Sequence, residues 1–207
     1  MLLDLTQLGG DRVYHLLTQT IIPRPIAWVL SENGGNGTEP SYNLAPFSFF
    51  NAIASEPPLV LLSLSKKPDG SSKDSARNIA ERDYFVIHIP RADQAELVSA
   101  SAATLAHGDS ELTRLGLATT AFADFPLPRL ADCAVALACR REQILTIGDE
   151  PQTLIIGRIQ LLYVDPAAVS QHGERYRIDA SVLNPLARLG ANQYASISAP
   201  FTLERPA

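Results

Sequence analysis

Short strand-like runs follow one another along this chain without helices alternating regularly between them, and that pattern limits what it can fold into. Residues 25–31 place Ile26, Trp28 and Leu30 on one face and Ala27 and Val29 on the other, the period-2 signature of a strand. A turn-rich stretch, Glu32-Asn-Gly-Gly-Asn-Gly-Thr38, separates it from a second run over 40–44. A third run, 59–65, reads as apolar and is expected to be buried on both faces. Further strands are expected over 84–89, 130–141, 143–147 and 153–164. Helices are expected over 73–82, with Ser72 as N-cap, and over the alanine-rich stretch 92–105. The tail from Tyr176, with Pro185 and Pro200, has little periodicity. About six or seven strands against two or three short helices disfavour a doubly wound parallel sheet. They predict a mainly β chain with short helices, a mostly antiparallel barrel carrying helical insertions. No linker divides the 207 residues, so a single domain is expected over 1–207, with its core at about 15–200. A chain of this length buries well over half of its unfolded surface and needs no disulfide or metal staple.

Lys and Arg number 17 against 22 Asp and Glu, a formal net charge of -5. Nucleic acids and anionic membranes select a basic footprint, so neither is expected as a partner. No apolar run approaches the ~20 residues of a membrane-spanning helix. Met1-Leu-Leu-Asp-Leu5 has no basic segment and is interrupted by Asp4, so no signal peptide is expected and the location is read as cytoplasmic. Cys133 and Cys139 are six positions apart in an alternating run, roughly 20 Å in an extended strand, and a disulfide needs its Cα atoms within about 7 Å. Both are expected to be free core thiols on one strand face. His15, His88, His107 and His172 are scattered, with no metal-ligand spacing, so no metal site is expected. His88, inside an apolar strand, reads as a satisfied core residue.

Three polar clusters lie between residues 21 and 78. Pro23-Arg-Pro25 stiffens a strand entry, and its arginine reads either as an exposed turn residue or as part of a site. Asn43-Leu-Ala-Pro-Phe-Ser-Phe-Phe-Asn51 reads as a loop holding three aromatics. Neighbours in an extended chain face opposite ways, so at least one of Phe47, Phe49 and Phe50 must line a pocket or an interface, unless the loop packs into a core of its own. The third cluster runs from Ser63 to Asn78 and carries five serines, Lys66, Lys67, Lys73 and Arg77 at a helix start. Hydroxyls, ammonium groups and helix N-terminal amides together suit a phosphate, although a solvated turn has the same composition. From Lys66 to Arg77 the net charge is +2 within an acidic chain. No Gly-rich nucleotide fingerprint is present.

These residues resemble a known family. Pro23-Arg-Pro-Ile-Ala-Trp-Val29, the 43–51 segment, Glu56-Pro-Pro-Leu59, Ser63-Leu-Ser65 and Lys73-Asp-Ser-Ala-Arg-Asn-Ile79 occur in the order and spacing of the flavin reductase-like, flavoredoxin-type FMN-binding split-barrel family. Arg188-Leu-Gly-Ala-Asn-Gln-Tyr194 is similar to that family's C-terminal Arg-x-Gly-Gly-x-x-Tyr element, with Ala191 in place of the second glycine. The resemblance implies a Greek-key split β-barrel acting as a homodimer, with FMN near the dimer interface. It implies that Ser48, Phe49, Phe50 and Asn51 border the isoalloxazine, and that Ser63, Leu64 and Ser65 follow the ribityl chain. Lys73, Asp74, Ser75 and Asn78 would gather around the phosphate. A carboxylate beside a phosphate is repulsive, so Asp74 is expected instead to favour the helix start or to orient a neighbour. Lys66 or Lys67 is a rival to Lys73 as the phosphate partner. The segment Ala106-His-Gly-Asp-Ser-Glu111 is expected to face the substrate or a protein partner.

The implied activity is an oxidoreductase that transfers hydride from NAD(P)H to flavin, with reduced flavin passed to a monooxygenase or another redox partner. The alternative is a non-catalytic FMN electron carrier. No histidine is nominated as acid or base. Arg24, Arg188 and Tyr194 are the candidates for the substrate side.

Overall fold

The computed structural model describes residues 1–34, 40–106, 108–149, 152–204 and 206. Part of the 32–38 turn therefore lies outside the described residues, as does His107 within the 106–111 segment.

The chain enters through helix α1 (Gly10–Thr20) and a short strand β1 (Arg24–Pro25), then lays down β2 (Ala27–Glu32), β3 (Tyr42–Phe47), β4 (Phe50–Ser55) and β5 (Pro58–Leu64). Helix α2 (Asp74–Arg82) leads into β6 (Tyr84–Ile89). Two short helices follow, α3 (Ala95–Ala100) and α4 (Glu111–Leu115), with β7 (Thr119–Thr120) and β8 (Arg129–Leu130). Strands β9 (Val135–Ile147) and β10 (Gln152–Val164) form the long hairpin. The C-terminal part holds β11 (Val169–His172), β12 (Arg175–Ile178), α5 (Ala180–Leu183), β13 (Ala187–Arg188) and β14 (Tyr194–Ala195).

Seven of these strands make one sheet in the order β3-β2-β6-β9-β10-β5-β4. Every neighbouring pair is antiparallel, as expected of strands not joined by crossover helices. The two edge strands, β3 and β4, are consecutive in the chain and only Ser48 and Phe49 separate them. A two-residue link cannot span a flat seven-stranded sheet, whose strands lie ~4.8 Å apart. The sheet must curl until its edges meet at Ser48-Phe49, yet no ladder joins β3 to β4. The barrel is therefore not closed.

Alternation along the strands divides the core between two faces. Trp28, Leu30, Leu44, Val86, Ala136 and Ala138 pack with Val98 of α3 and Leu112 of α4. Val29, Leu62, Phe85, Ile87, Cys139 and Ile155 pack on the opposite face with Ala76 and Ile79 of α2. Trp28 is fully buried and its indole N–H donates to the Ser101 hydroxyl at 2.9 Å, so the burial is worth about 3 kcal/mol without an orphaned polar atom. His88 is also fully buried. Its Nδ1 lies 3.1 Å from the Trp28 carbonyl and its Nε2 accepts the Leu130 N–H at 2.9 Å. Burial pushes its pKa down to about 4, so it sits in the core as a neutral, satisfied ring, as expected.

Several expectations need correction. Strand β5 is covered on one face only: Val60, Leu62 and Leu64 are buried while Leu59, Leu61 and Ser63 are not. The two strands expected over 130–141 and 143–147 are one strand, β9. The break expected at residue 142 is a β-bulge, since Gln143 pairs with Ile156 and Arg141 with Gly157. A Cβ on Gly157 would come 2.4 Å from Phe85 Cζ, so the bulge packs against the core through a position that only glycine fits. The two cysteines are free and buried, but not on one strand face. Cys133 precedes β9 and packs in one cluster, and Cys139 packs in the other. Burial pushes the Cys133 thiol up to about 12 and raises that of Cys139 as well. Lys73, not Ser72, is the N-cap of α2, and its side chain makes no cap hydrogen bond. The helix expected over 92–105 shortens to a 3-10 turn at Ala92–Gln94 followed by α3. Helix α1 and strand β4 had no counterpart in the sequence reading. Among the described residues, no helix is long and apolar enough to cross a membrane.

Candidate functional site

Three clefts run together along the seam where the sheet fails to close. The first lies at the start of α2 and has a volume of about 110 Å³, with Asn43, Phe47, Lys67, Lys73, Asp74, Ser75 and Glu111 in its walls. The second, about 210 Å³, shares Pro46, Phe47 and Lys73 with it and adds Tyr14, Ser48, Phe49, Ser63, Ser65 and Gln152. The third, about 390 Å³, shares Ser48 and Phe49 with the second and is closed by Leu17, Ile21, Pro23, Arg24, Pro25, Phe50 and Asn51. The shared residues make them one groove, polar at one end and mostly apolar at the other.

The polar end follows from the helix start. A lysine is a poor N-cap, so no side chain closes the first turn of α2, whose backbone N–H groups carry the positive end of the helix dipole. The Lys73 ammonium lies 5.7 Å from the centre of the Phe47 ring and has no ion-pair partner among the described residues. Burial, then the nearby Lys67, lowers its pKa. Lys67 is different. Its ammonium is held by the Asp74 carboxylate at 2.8 Å, which leaves Lys73 as the better anion partner of the two. Asp74 thus orients a neighbour in the first turn of the helix. Ser75 is buried and its hydroxyl accepts from Asn43 at 2.8 Å. Glu111 accepts the Leu44 N–H at 2.8 Å, and burial raises its pKa.

Asn78 does not join this group. It is buried, and its amide donates to Ser31 at 3.2 Å and to the Asn33 side-chain oxygen at 3.0 Å, while its own oxygen has no partner among the described residues. Ser75 and Asn78 share a helix face, but Asn78 is about one turn, or ~4.5 Å, further from the N-terminus. Only the end of the helix opens on the groove.

In the middle of the groove, Ser63 of β5 and Ser65 just beyond it line the wall, whereas Leu64 between them is buried in the core. The hydroxyls of Ser63 and Ser65 have no hydrogen-bond partner among the described residues, so they are available to a polyhydroxyl chain.

The apolar end is the corner between the edge strands. Phe47 points into the core, Phe50 packs partly against it, and Phe49 is 40% exposed. This is the aromatic that the pleat forces outward. It meets Tyr14 of α1 with ring centres 6.2 Å apart. Asn51 is exposed, with its oxygen turned back to the Ala52 N–H at 2.9 Å. Arg24 closes the corner from behind and is not an exposed turn residue. It is 6% exposed and donates to the carbonyls of Thr18, of Ile21 at 3.1 Å and of Leu189 at 2.8 Å, and to the Ser48 hydroxyl at 3.3 Å. Burial lowers its pKa; Arg188 acts in the same direction and Tyr14 against it.

Arg188 pairs with Arg24 across the β1–β13 ladder, and its guanidinium stacks 4.5 Å from the centre of the Tyr194 ring. Neither Arg188 nor Tyr194 lines the three clefts. Ala191, which replaces the second glycine of the C-terminal element, adopts a left-handed φ of 49° and its carbonyl accepts from Arg188.

Sequence reasoning missed several groove residues, Tyr14 and Gln152 among them. Tyr14 lies on the unrecognised helix α1, whose signal was the spacing of Val13, Leu16 and Leu17 after Gly9-Gly10. Gln152 is brought in by β10, and nothing in its local sequence marks it, whereas Glu111 of α4 ends the 106–111 segment expected to face the substrate or a partner.

The arrangement could hold a ligand with an anionic group at one end and a planar ring at the other: an ammonium without a described acid partner at a helix start, two hydroxyls beside it, and an apolar corner. Among the described residues, no group of His, Cys, Asp and Glu can hold a metal ion. Residues 19–178 match the family model described as the flavin reductase like domain. An uncharacterized protein of Halalkalibacterium halodurans is 34% identical over 100% of this chain and 97% of its own length. The crystal structure of nitrilotriacetate monooxygenase component B from Bacillus cereus is 31% identical, with a TM-score of 0.87 over 98% of each chain. That of a Pseudomonas fluorescens 2-nitrobenzoate 2-nitroreductase is 26% identical, with a TM-score of 0.86 over 100% of this chain and 96% of the other. From its motifs, its open β-sheet and these likenesses, the chain belongs to the flavin reductase like domain family.

Proposed function

We propose that this chain binds FMN in the groove and transfers hydride from NAD(P)H to flavin. The observation that carries the reading is the continuity of the groove, from an ammonium without an acid partner at Lys73 to an apolar corner at Ser48–Asn51. Bound flavin would supply the redox chemistry, so the protein needs no acid or base of its own. Lys73 and the first turn of α2 hold the phosphate, with Ser75 supporting Asn43 beside it. Ser63 and Ser65 follow the ribityl chain. Ser48, Phe49, Phe50 and Asn51 border the ring, whose outer face is left to the nicotinamide. Asn78 serves the groove only by packing α2 on β2.

The groove is open along one side, and Tyr14, Ile21, Ile22 and Phe49 expose apolar surface around its ring end. A second copy of the chain fits that surface, and the working unit is read as a homodimer. The likeness to a monooxygenase component B supports an oxygenase as the final electron acceptor. Free buried thiols fit a reducing compartment, the cytoplasm.

The test is to mix the purified protein with NADH or NADPH and follow nicotinamide absorbance with and without added FMN. Turnover that rises with FMN is expected. Bleaching of bound flavin without turnover would instead make the chain an electron carrier. Failure of the reconstituted protein to retain any flavin would remove the cofactor assignment.

A further inference from the structure

We propose that Ser48 donates a hydrogen bond to the edge of the flavin ring, backed by the buried guanidinium of Arg24, and that this pair sets the electron affinity of the bound cofactor. The inference rests on the flavin reading above.

Arg24 is a buried cation without a buried anion. Its acceptors are three backbone carbonyls and one hydroxyl, and among the described residues no carboxylate lies within ion-pair distance. Carbonyl dipoles satisfy its N–H groups but leave the charge uncompensated, and Arg188 across the ladder adds a second positive charge. Cations are costly to bury without a counter-charge, so this corner favours whatever places negative charge beside it.

Ser48 is the link between that charge and the groove. Its oxygen accepts from Arg24 Nε at 3.3 Å, and its own proton must therefore point elsewhere. No described residue accepts that proton. Ser48 lines both the ring corner and the cleft beside it, so the hydroxyl is free to donate into the groove. A hydroxyl polarised by a guanidinium is a stronger donor than one solvated alone.

Reduction adds two electrons to the ring, with protons taken from solvent, and raises the electron density at its acceptor atoms. A donor backed by a cation binds the reduced ring more tightly than the oxidised one. For a two-electron couple, each tenfold preference corresponds to ~30 mV in potential.

The experiment is spectroelectrochemical titration of the full chain loaded with FMN, with Ser48→Ala, Ser48→Thr and Arg24→Lys. Ser48→Ala leaves all three carbonyl bonds of Arg24 in place, so it tests the donor without removing the clasp. We expect Ser48→Ala to lose about tenfold in preference for reduced flavin, a potential ~30 mV more negative, with an unchanged unfolding midpoint. Ser48→Thr, which keeps the hydroxyl, should restore the wild-type potential. Arg24→Lys, if it folds, should shift the potential in the direction of Ser48→Ala. A purely structural clasp predicts that Ser48→Ala moves no potential, and that result would overturn the proposal while leaving the flavin reading intact. Absence of FMN binding by the wild-type protein overturns both.

Discussion

The two ends of the groove both present positive charge, and they do so in opposite ways. At the α2 end, Lys73 is a half-buried ammonium that no described carboxylate or carbonyl holds, resting only against the Phe47 ring. At the sheet corner, Arg24 is a buried guanidinium whose acceptors include Leu189, 165 residues away. The first end can be altered with little cost to the fold, because the lysine holds nothing else in place. The second cannot, because the same side chain ties α1, the Ser48-Phe49 link and the C-terminal sheet together. A ligand site with one replaceable end and one structural end should therefore respond very differently to substitution at each.

Removing Arg24 is the strongest way to break the comparison. Arg24→Met leaves the Thr18, Ile21 and Leu189 carbonyls without their donors and should cost roughly 4 kcal/mol of stability, since each buried orphan costs about 1–3. Urea denaturation measures this, and a loss under 1 kcal/mol would show that the clasp is not structural. Acidification sets a baseline common to both ends. His88 is buried neutral with its pKa lowered to about 4 from 6.5. The unfolded state binds its proton first, so the stability due to its neutral form is complete above pH 6.5 and disappears as pH falls to about 4. The expected loss across that window is about 3 kcal/mol, and His88→Gln should flatten it. Both ends should lose flavin together in that range, as the core rather than the site gives way.

Lys73→Ala with Ser75→Ala comes next and addresses the replaceable end. It should weaken FMN by about 10- to 100-fold, on the scale of one charge-assisted hydrogen bond, and leave riboflavin almost unaffected. Quenching of flavin fluorescence gives both constants, and equal losses would refute the phosphate assignment. Lys67→Ala should have the smallest effect, less than threefold, because Asp74 already neutralises that ammonium on a partly exposed surface. An effect as large as that of Lys73 would reverse their roles.

The same contrast explains how much could be read from the sequence. β6 and α2 carry their patterns locally, one through alternation and the other through a helix start, and both lie where expected. The break read at residue 142 was real, but it is a bulge, which interrupts periodicity without ending a strand. β4 was invisible because most of its residues are exposed and its strand ladder is with β5 alone. α1 buries only Thr18, so its pattern answers to no core. The polar end of the site was legible because a lysine, serines and a helix start adjoin in sequence. The buried state of Arg24 was not, since Pro-Arg-Pro reads as exposed until the carbonyls that receive it are known. Asn78 shows the converse, a motif position on the same helix face as Ser75 but a turn too far from the helix start to reach the groove.

The outer edge of β3 bears on how such a chain resists pairing with other strands. An unpaired strand edge offers its outward N–H groups to any other strand and invites edge-to-edge aggregation. On β3 the outward Leu44 N–H is already taken by the Glu111 carboxylate, and Pro46, two positions along and facing the same way, has no N–H to offer. A foreign strand arriving there finds one donor occupied and the next missing. The substitution Glu111→Ala would free the first of them and return a donor to that edge.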